Sequence, residues 1–290
     1  MPKRTIGITL GDVAGIGPEV VRKALASGKL DKRFRYEVIG KLLKVPTGKV
    51  SAKAGRAAGE WVVEGVRRCQ SGELAALVTA PLNKEGLHAA GYDFPGHTEL
   101  LAKLTHTKKF AMMMVGGGMH VALATIHIPL ASVSAALTKQ KIVEVIELTH
   151  VAMKQLGISK PRIAVAGLNP HAGEGGAFGR EEINVIGPAV HAAVKKGIDA
   201  RGPMAADALF VLARQKKFDA EVVMYHDQGL IPLKMWAFES GVNWTIGLPI
   251  IRTSPDHGTA YDIAGKGIAD PSSMIAAINF AARLAGRKDG

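Results

Sequence analysis

Cysteine is nearly absent: Cys69 is the single one in 290 residues. This excludes an intramolecular disulfide framework and any Cys-rich zinc module, so a metal bound here must be held by His and carboxylates. Aromatic residues make up 5% of the chain, which leaves few platforms for stacking single-stranded bases. No apolar run reaches the length that spans a bilayer. The N-terminal stretch MPKRTIGITLGD has too short an apolar segment for a signal peptide and leads straight into a motif. Internal repeats, low-complexity linkers and long runs of one charge are also missing. The expectation is a cytoplasmic protein without a membrane partner.

What is present is an ordinary core and an excess of cations. Hydrophobic residues are 47% of the chain and the formal net charge is +12. The charge favours anionic partners such as phosphate esters or dinucleotides. The basic residues come in scattered pairs (Lys108-Lys109, Lys195-Lys196, Lys216-Lys217) and form no nucleic-acid motif. Nucleic acid is therefore not the expected partner, and a salt-sensitive gel shift would be needed to revive it.

Short apolar runs alternate with helical stripes along the chain. Strands are expected at 4–10, 35–39, 75–81 and 162–166, and a hairpin at 112–125 around Gly116-Gly117-Gly118. Helices are expected at 52–70, 138–156, 181–196 and over the last 20 residues; Ile142, Val145, Ile146 and Val151 mark a core stripe. A turn is expected at Gly202-Pro203, and another at Gly229, directly after the buried strand of Val222, Val223 and Met224. Such alternation predicts a doubly wound α/β architecture of one large or two medium domains. The stretch GDVAGIGPE (11–19) is a strand, glycine turn and helix start that can hold an anion, but it is not a GxGxxG fingerprint.

The chemistry concentrates after the strands. His127, His171 and His226 each follow an apolar run, and three strand-end imidazoles can converge on one divalent ion with positions open for a substrate. Taken singly, each is a polar loop residue; the repeated context makes them a set. Asp207 or Asp227 can fix an imidazole tautomer. Lys234, Asn243 and Arg252 suit a phosphate, and Arg252, between GLPII and TS, needs a partner because its surroundings are apolar. His97 and Thr98 open a helix where an anionic group could bind, and a plain cap by Thr98 reads equally well. A zinc hydrolase using the same histidines without a dinucleotide remains open at this point.

The stretches GDVAGIGPE, TAPLNK (79–84), GHTE (96–99), TIHIPL (125–130), LNPHAGEGG (168–176), AAD (205–207), YHDQGLIPLK (225–234) and GVNWTIGLPIIRTSPDHGTAYDIAGKGIAD (241–270) resemble the 4-hydroxythreonine-4-phosphate dehydrogenase family over nearly the whole chain. The resemblance implies a two-domain α/β/α fold like isocitrate and isopropylmalate dehydrogenases, with the active site in the interdomain cleft at a homodimer interface. The domain expectation is 1–90 plus 240–290 for the nucleotide side and 91–239 for the metal and dimerisation side. It further implies that His127, His171 and His226 ligate one divalent metal (zinc, magnesium or cobalt) shared between subunits. His97, Thr98, Lys234, Asn243 and Arg252 would contact substrate, with Asp207 and Lys234 catalytic. His257, Gly258, Thr259 and Ala260 would lie along NAD or NADP.

The implied reaction oxidises the secondary alcohol of 4-phosphohydroxy-L-threonine and decarboxylates the product to 3-amino-2-oxopropyl phosphate, in pyridoxal 5'-phosphate biosynthesis. Two departures, a short connector at 40–51 and Val13 in place of the usual Pro, accompany a likeness to branches acting on 4-phospho-threonate, 4-phospho-erythronate or a cyclic dihydrodiol dicarboxylate.

Overall fold

The computed structural model describes residues 3–94 and 96–287, so Pro95 of the expected Phe94-Pro95-Gly96 turn lies outside the described residues. In chain order, β1 (Thr5–Thr9), α1 (Gly17–Ala26), β2 (Arg35–Ile39), α2 (Ala52–Gln70), β3 (Ala76–Thr79), α3 (Lys84–Ala89) and α4 (His97–Leu104) come first. There follow β4 (Ala111–Gly116), β5 (Met119–Leu123), α5 (Val133–Ala136), α6 (Lys139–Gln155), β6 (Arg162–Ala166), α7 (Gly187–Lys195), β7 (Asp199–Met204), α8 (Ala206–Arg214), β8 (Ala220–Val223) and α9 (His226–Ala237). The chain ends with β9 (Val242–Ile246), β10 (Arg252–Pro255) and α10 (Ser272–Gly286). Among the described residues, no helix is long and apolar enough to cross a membrane.

Two compact units divide the chain, Met1–Lys108 with Glu239–Gly290, and Lys109–Phe238. In the first, strands run in the order β2-β1-β3-β10-β9, parallel except for β9. Helices α2 and α10 pack on this sheet. Helix α4 belongs here too, whereas the sequence reading put everything from 91 in the second domain. The reason is burial: Leu100 and Leu101 are enclosed with Val62, Val66 and Leu77, and each such side chain contributes roughly 1.5–3 kcal/mol.

In the second unit the order is β4-β5-β8-β6-β7, with β5, β8, β6 and β7 parallel and β4 closing a hairpin with β5. Buried Met, Val, Leu and Ala side chains from these strands meet Leu209, Leu230 and Leu233 of α8 and α9. Three local expectations change. Gly229 does not turn the chain; it lies inside α9, where a Cβ would come within 2.6 Å of Val121 and 2.9 Å of Val223, so its missing side chain lets the helix settle on the strands. Gly202-Pro203 lies within β7, which among the described residues pairs only with β6 and can therefore carry a residue without an N–H. Val151 is 52% exposed, because the buried face of α6 runs through Ile142, Val145, Ile146, Thr149 and Met153.

One polar residue stands out in this core. Glu221, on β8 opposite Val121 and Ala164, is 1% exposed and its Oε2 has no hydrogen-bond partner. Burial pushes its carboxyl up to about 8 from the ordinary 4.5. Between those values the folded chain holds a proton that the unfolded chain has released, so stability falls as pH rises through this window, by about 1.4 kcal/mol per pH unit. Glu221→Gln is expected to remove this slope in urea unfolding followed from pH 5 to pH 8. Parallel pH profiles for the two proteins would show that Glu221 is ionised when folded.

Candidate active site

In the first unit the site is built around a buried cation. Arg252 begins β10 beside β3, and its guanidinium is 1% exposed. Its Nε and Nη2 donate to the hydroxyl of Thr79 at 3.1 and 2.6 Å, and Nη1 donates to the hydroxyl of Thr245 at 3.0 Å. Two hydroxyls neutralise nothing, and burial lowers the guanidinium to about 9, with only the charge of Glu99 opposing. The first turn of α4 places His97 close by; burial, then the Arg252 charge, hold its imidazole well below the usual range, so it is neutral at pH 7. His97 Nε2 and Asn243 Oδ1 are buried without hydrogen-bond partners. Thr98 is buried and caps nothing; the residue before α4 is Gly96, and no side chain closes that end. A buried guanidinium bonded only to hydroxyls has N–H groups and charge that an anion could meet.

The first unit also organises the segment from His257 to Ala260. Asp12, fully buried, accepts from Ala14 N at 2.8 Å and from the Tyr261 hydroxyl at 2.6 Å. Ile16 N donates to Thr259 O at 3.0 Å, and a Cβ on Gly15 would come within 2.7 Å of that oxygen. Further along, Glu19 accepts from Ala269 N at 2.9 Å and Lys23 donates to the Gly267 and Ala269 carbonyls. The glycine turn after β1 therefore clamps the 257–270 loop. His257 Nε2 is buried and unpartnered in the same loop.

In the second unit the ends of three adjacent parallel strands are tied together. Thr125, after β5, donates its hydroxyl to Met224 O at 2.7 Å. Gln228 accepts from Met224 N at 2.7 Å and donates to Gly167 O, after β6, at 2.7 Å. His127, His226 and His171 issue from these joined ends. The rings of His127 and His226 lie 5.6 Å apart, centre to centre. Two imidazoles bound at about 2.0–2.1 Å to one cation would place their ring centres on the order of 5 Å apart, so the pair fits a shared ion. Asp227 Oδ1 lies 2.7 Å from His226 Nδ1, which leaves Nε2 as the ligating nitrogen.

His171 does not join them. Among the described residues no three His, Cys, Asp or Glu side chains gather closely enough to hold a metal. His171 sits in a loop whose residues 171–175 all have positive φ, three of them non-glycine at 42–53°. Each non-glycine residue there costs roughly 1–2 kcal/mol. The loop turns the His171 ring outward, 72% exposed, 3.2 Å from Glu174 and edge-on to Phe178. Asp207 is exposed and accepts from Ala208 N at 2.9 Å; Lys234 is half-buried two turns beyond His226 on α9.

Sequence reading missed Thr79 and Thr245, which hold Arg252, and Asp12 and Tyr261, which hold the 257–260 segment. A lone Thr closing the apolar run ALVT was the available sign for the first.

Residues 18–281 match the family described as pyridoxal phosphate biosynthetic protein PdxA. The chain belongs to the PdxA family. A PdxA relative from Desulforapulum autotrophicum named 4-hydroxythreonine-4-phosphate dehydrogenase is 46% identical, with 96% of this chain and 94% of that protein aligned. A D-threonate 4-phosphate dehydrogenase from Pectobacterium atrosepticum is 42% identical, covering 97% and 99%. The crystal structure of the 4-hydroxythreonine-4-phosphate dehydrogenase from Klebsiella pneumoniae superposes with a TM-score of 0.86 at 39% identity, over 98% of each chain. Isocitrate dehydrogenase from Methylococcus capsulatus, at 16% identity and a TM-score of 0.53 over 99% of this chain and 86% of its own, shows a likeness of fold.

If the Arg252 guanidinium awaits an anion, inorganic phosphate should raise the melting temperature of the wild-type protein. Arg252→Met is expected to abolish that rise while changing the phosphate-free stability by no more than about 1 kcal/mol, since it removes an unpaired buried charge. A variant that still responds to phosphate would place the anion elsewhere.

Proposed function

We propose that the chain oxidises the secondary alcohol of 4-phosphohydroxy-L-threonine with NAD or NADP and decarboxylates the product to 3-amino-2-oxopropyl phosphate, in pyridoxal 5'-phosphate biosynthesis. The observation that carries this reading is the buried Arg252 guanidinium, hydrogen-bonded to hydroxyls and to no carboxylate, close to the unsatisfied His97 Nε2. A phosphate monoester supplies what that pocket lacks: charge for the guanidinium and acceptors for its unused N–H groups. The relatives' names supply the chemistry of the remainder. A second reading, oxidation of D-threonate 4-phosphate, is favoured by the equally full-length match to a dehydrogenase of that name. The two substrates share the phosphate and the four-carbon skeleton, so Arg252 and His97 serve either.

Residue roles follow from chemistry. Arg252, His97, Thr98 and Asn243 hold and orient the phosphorylated acid. His127 and His226 would hold a divalent metal, with Asp227 fixing the His226 tautomer. A bound nicotinamide supplies the hydride acceptor, and a bound divalent ion supplies the charge that favours alkoxide and enolate forms of the substrate. Lys234 takes the hydroxyl proton and returns a proton to carbon after carbon dioxide leaves, with Asp207 assisting. The segment His257 to Ala260, held by Ile16 N at Thr259 O and by Asp12 at the adjoining Tyr261, would lie along the dinucleotide.

The third imidazole comes, in this reading, from His171 of a second copy. Its loop projects outward beside exposed apolar side chains, Phe178 and Ile183, while Ile128 and Leu130 next to His127 are exposed as well. Such a surface suits a homodimer contact.

Absorbance assays with both substrates and both coenzymes test the main reading: reduction of the nicotinamide, lost on chelation, is expected. No reduction with any combination would overturn it, and turnover without a dinucleotide would restore the hydrolase. Mixing inactive His171→Ala and His226→Ala chains tests the shared site. Heterodimers would regain one intact site, giving about a quarter of wild-type activity after random exchange. No recovery would place all three ligands on one chain.

A further inference from the structure

We propose that Glu182 is a positioning residue for metal binding: its buried carboxylate holds the left-handed loop that presents His171. This rests on the reading of His171 as a ligand. The loop 169–176 is a run of tight turns whose backbone lies far from ordinary conformations, and it is bonded at its ends from Ala172 N to Asn169 O, Ala177 N to Glu174 O and Phe178 N to Gly173 O. A carboxylate from outside the loop braces its entry. Glu182 is 4% exposed and, among the described residues, takes part in no ion pair; its Oε1 accepts from Leu168 N at 2.7 Å and from Asn169 N at 2.8 Å, and its Oε2 accepts from Asn169 Nδ2 at 3.0 Å. Three donors thus converge on one carboxylate at the point where the chain leaves β6.

The fit is also steric. A Cβ on Gly173 would lie 2.7 Å from Glu182 Oε2, and one on Gly167 would lie 3.0 Å from Oε1, so the carboxylate fills the hollow of the loop. Its neighbour Glu181 accepts from the same Asn169 Nδ2 at 2.8 Å and from Ser134 Oγ at 2.6 Å. These bonds, with Ser134 first and Asn169 second, hold the Glu181 carboxyl below the usual range. Adjacent residues reach one loop because Glu182–Ile186 is a π-helical turn ahead of α7, in place of the regular helix expected from 181. Such turns are inserted where side chains must be re-aimed.

A carboxylate that only filled space would matter to stability alone. One that sets the direction of His171 matters to the ion. Cobalt(II) titration of the full-length protein separates the two, read by equilibrium dialysis and by the visible absorption of the bound ion, with melting temperature measured alongside. Glu182→Ala is expected to weaken cobalt binding about 10–100-fold and to change the absorption of the loaded protein. Glu182→Gln retains one acceptor for the backbone donors but turns an N–H toward Asn169, so it should fall between wild type and Ala; it also serves if the Ala variant does not fold. Wild-type affinity and absorption in Glu182→Gln, or in a folded Glu182→Ala, with His171→Ala impaired, would overturn the proposal while leaving His171 a ligand. Unchanged binding in His171→Ala would overturn the ligand reading and the proposal with it.

Discussion

The site in the first unit depends on a guanidinium held by two threonine hydroxyls in place of a carboxylate. A charge removed from water is tolerated when its hydrogen bonds are made and a counter-charge arrives, and Thr79 and Thr245 satisfy only part of the first condition. The same arrangement keeps His97 neutral, so the imidazole can exchange a hydrogen bond with an incoming oxyanion without adding a second buried charge. Binding of a phosphate ester would complete what folding leaves unfinished. Preorganisation of this kind places the cost of desolvating the cation in the folding step and frees the binding step from it.

In the second unit the organising device is an amide. Gln228 joins the end of β8 to the end of β6 through Met224 N, and Thr125 joins the end of β5 to the carbonyl of the same residue. The segments that carry His127, His226 and His171 therefore leave the sheet from fixed neighbouring points. What differs is the route afterwards. His226 enters a helix at once and His127 stays beside it, whereas the loop after Gly167 passes through five left-handed residues, and His171 emerges facing outward. Two imidazoles lie close together with Asp227 bonded to one of them, and among the described residues no third His, Cys, Asp or Glu joins them.

Much of this was legible in the residues. The alternation of apolar runs and helical stripes marked the α/β class, and an arginine between GLPII and TS had to find a partner or be one. The motifs at 225–234 and 241–270 carried the family. Less was legible where a residue's job is set by something distant in the chain. Gly229 reads as a turn until Val121 and Val223 are seen pressed against its Cα. Leu100 and Leu101 read as the start of a second domain until Val62 and Leu77 enclose them. The glycine turn at 11–17 reads as an anion cradle, yet its clearest bonds go to the loop after β10.

By itself the sequence determined the periodicities, the family and the supply of chemistry: histidines after strands, cations near the C-terminal end, and no thiols to spare. These follow from residue type and spacing, which act over a few positions. The tertiary structure alone decided which of those groups meet. It left Arg252 bonded to hydroxyls in place of a carboxylate, brought His127 beside His226, and sent His171 away on a strained loop bonded to Glu182. Burial and hydrogen-bond direction are properties of surroundings assembled from remote segments, and no local pattern carries them.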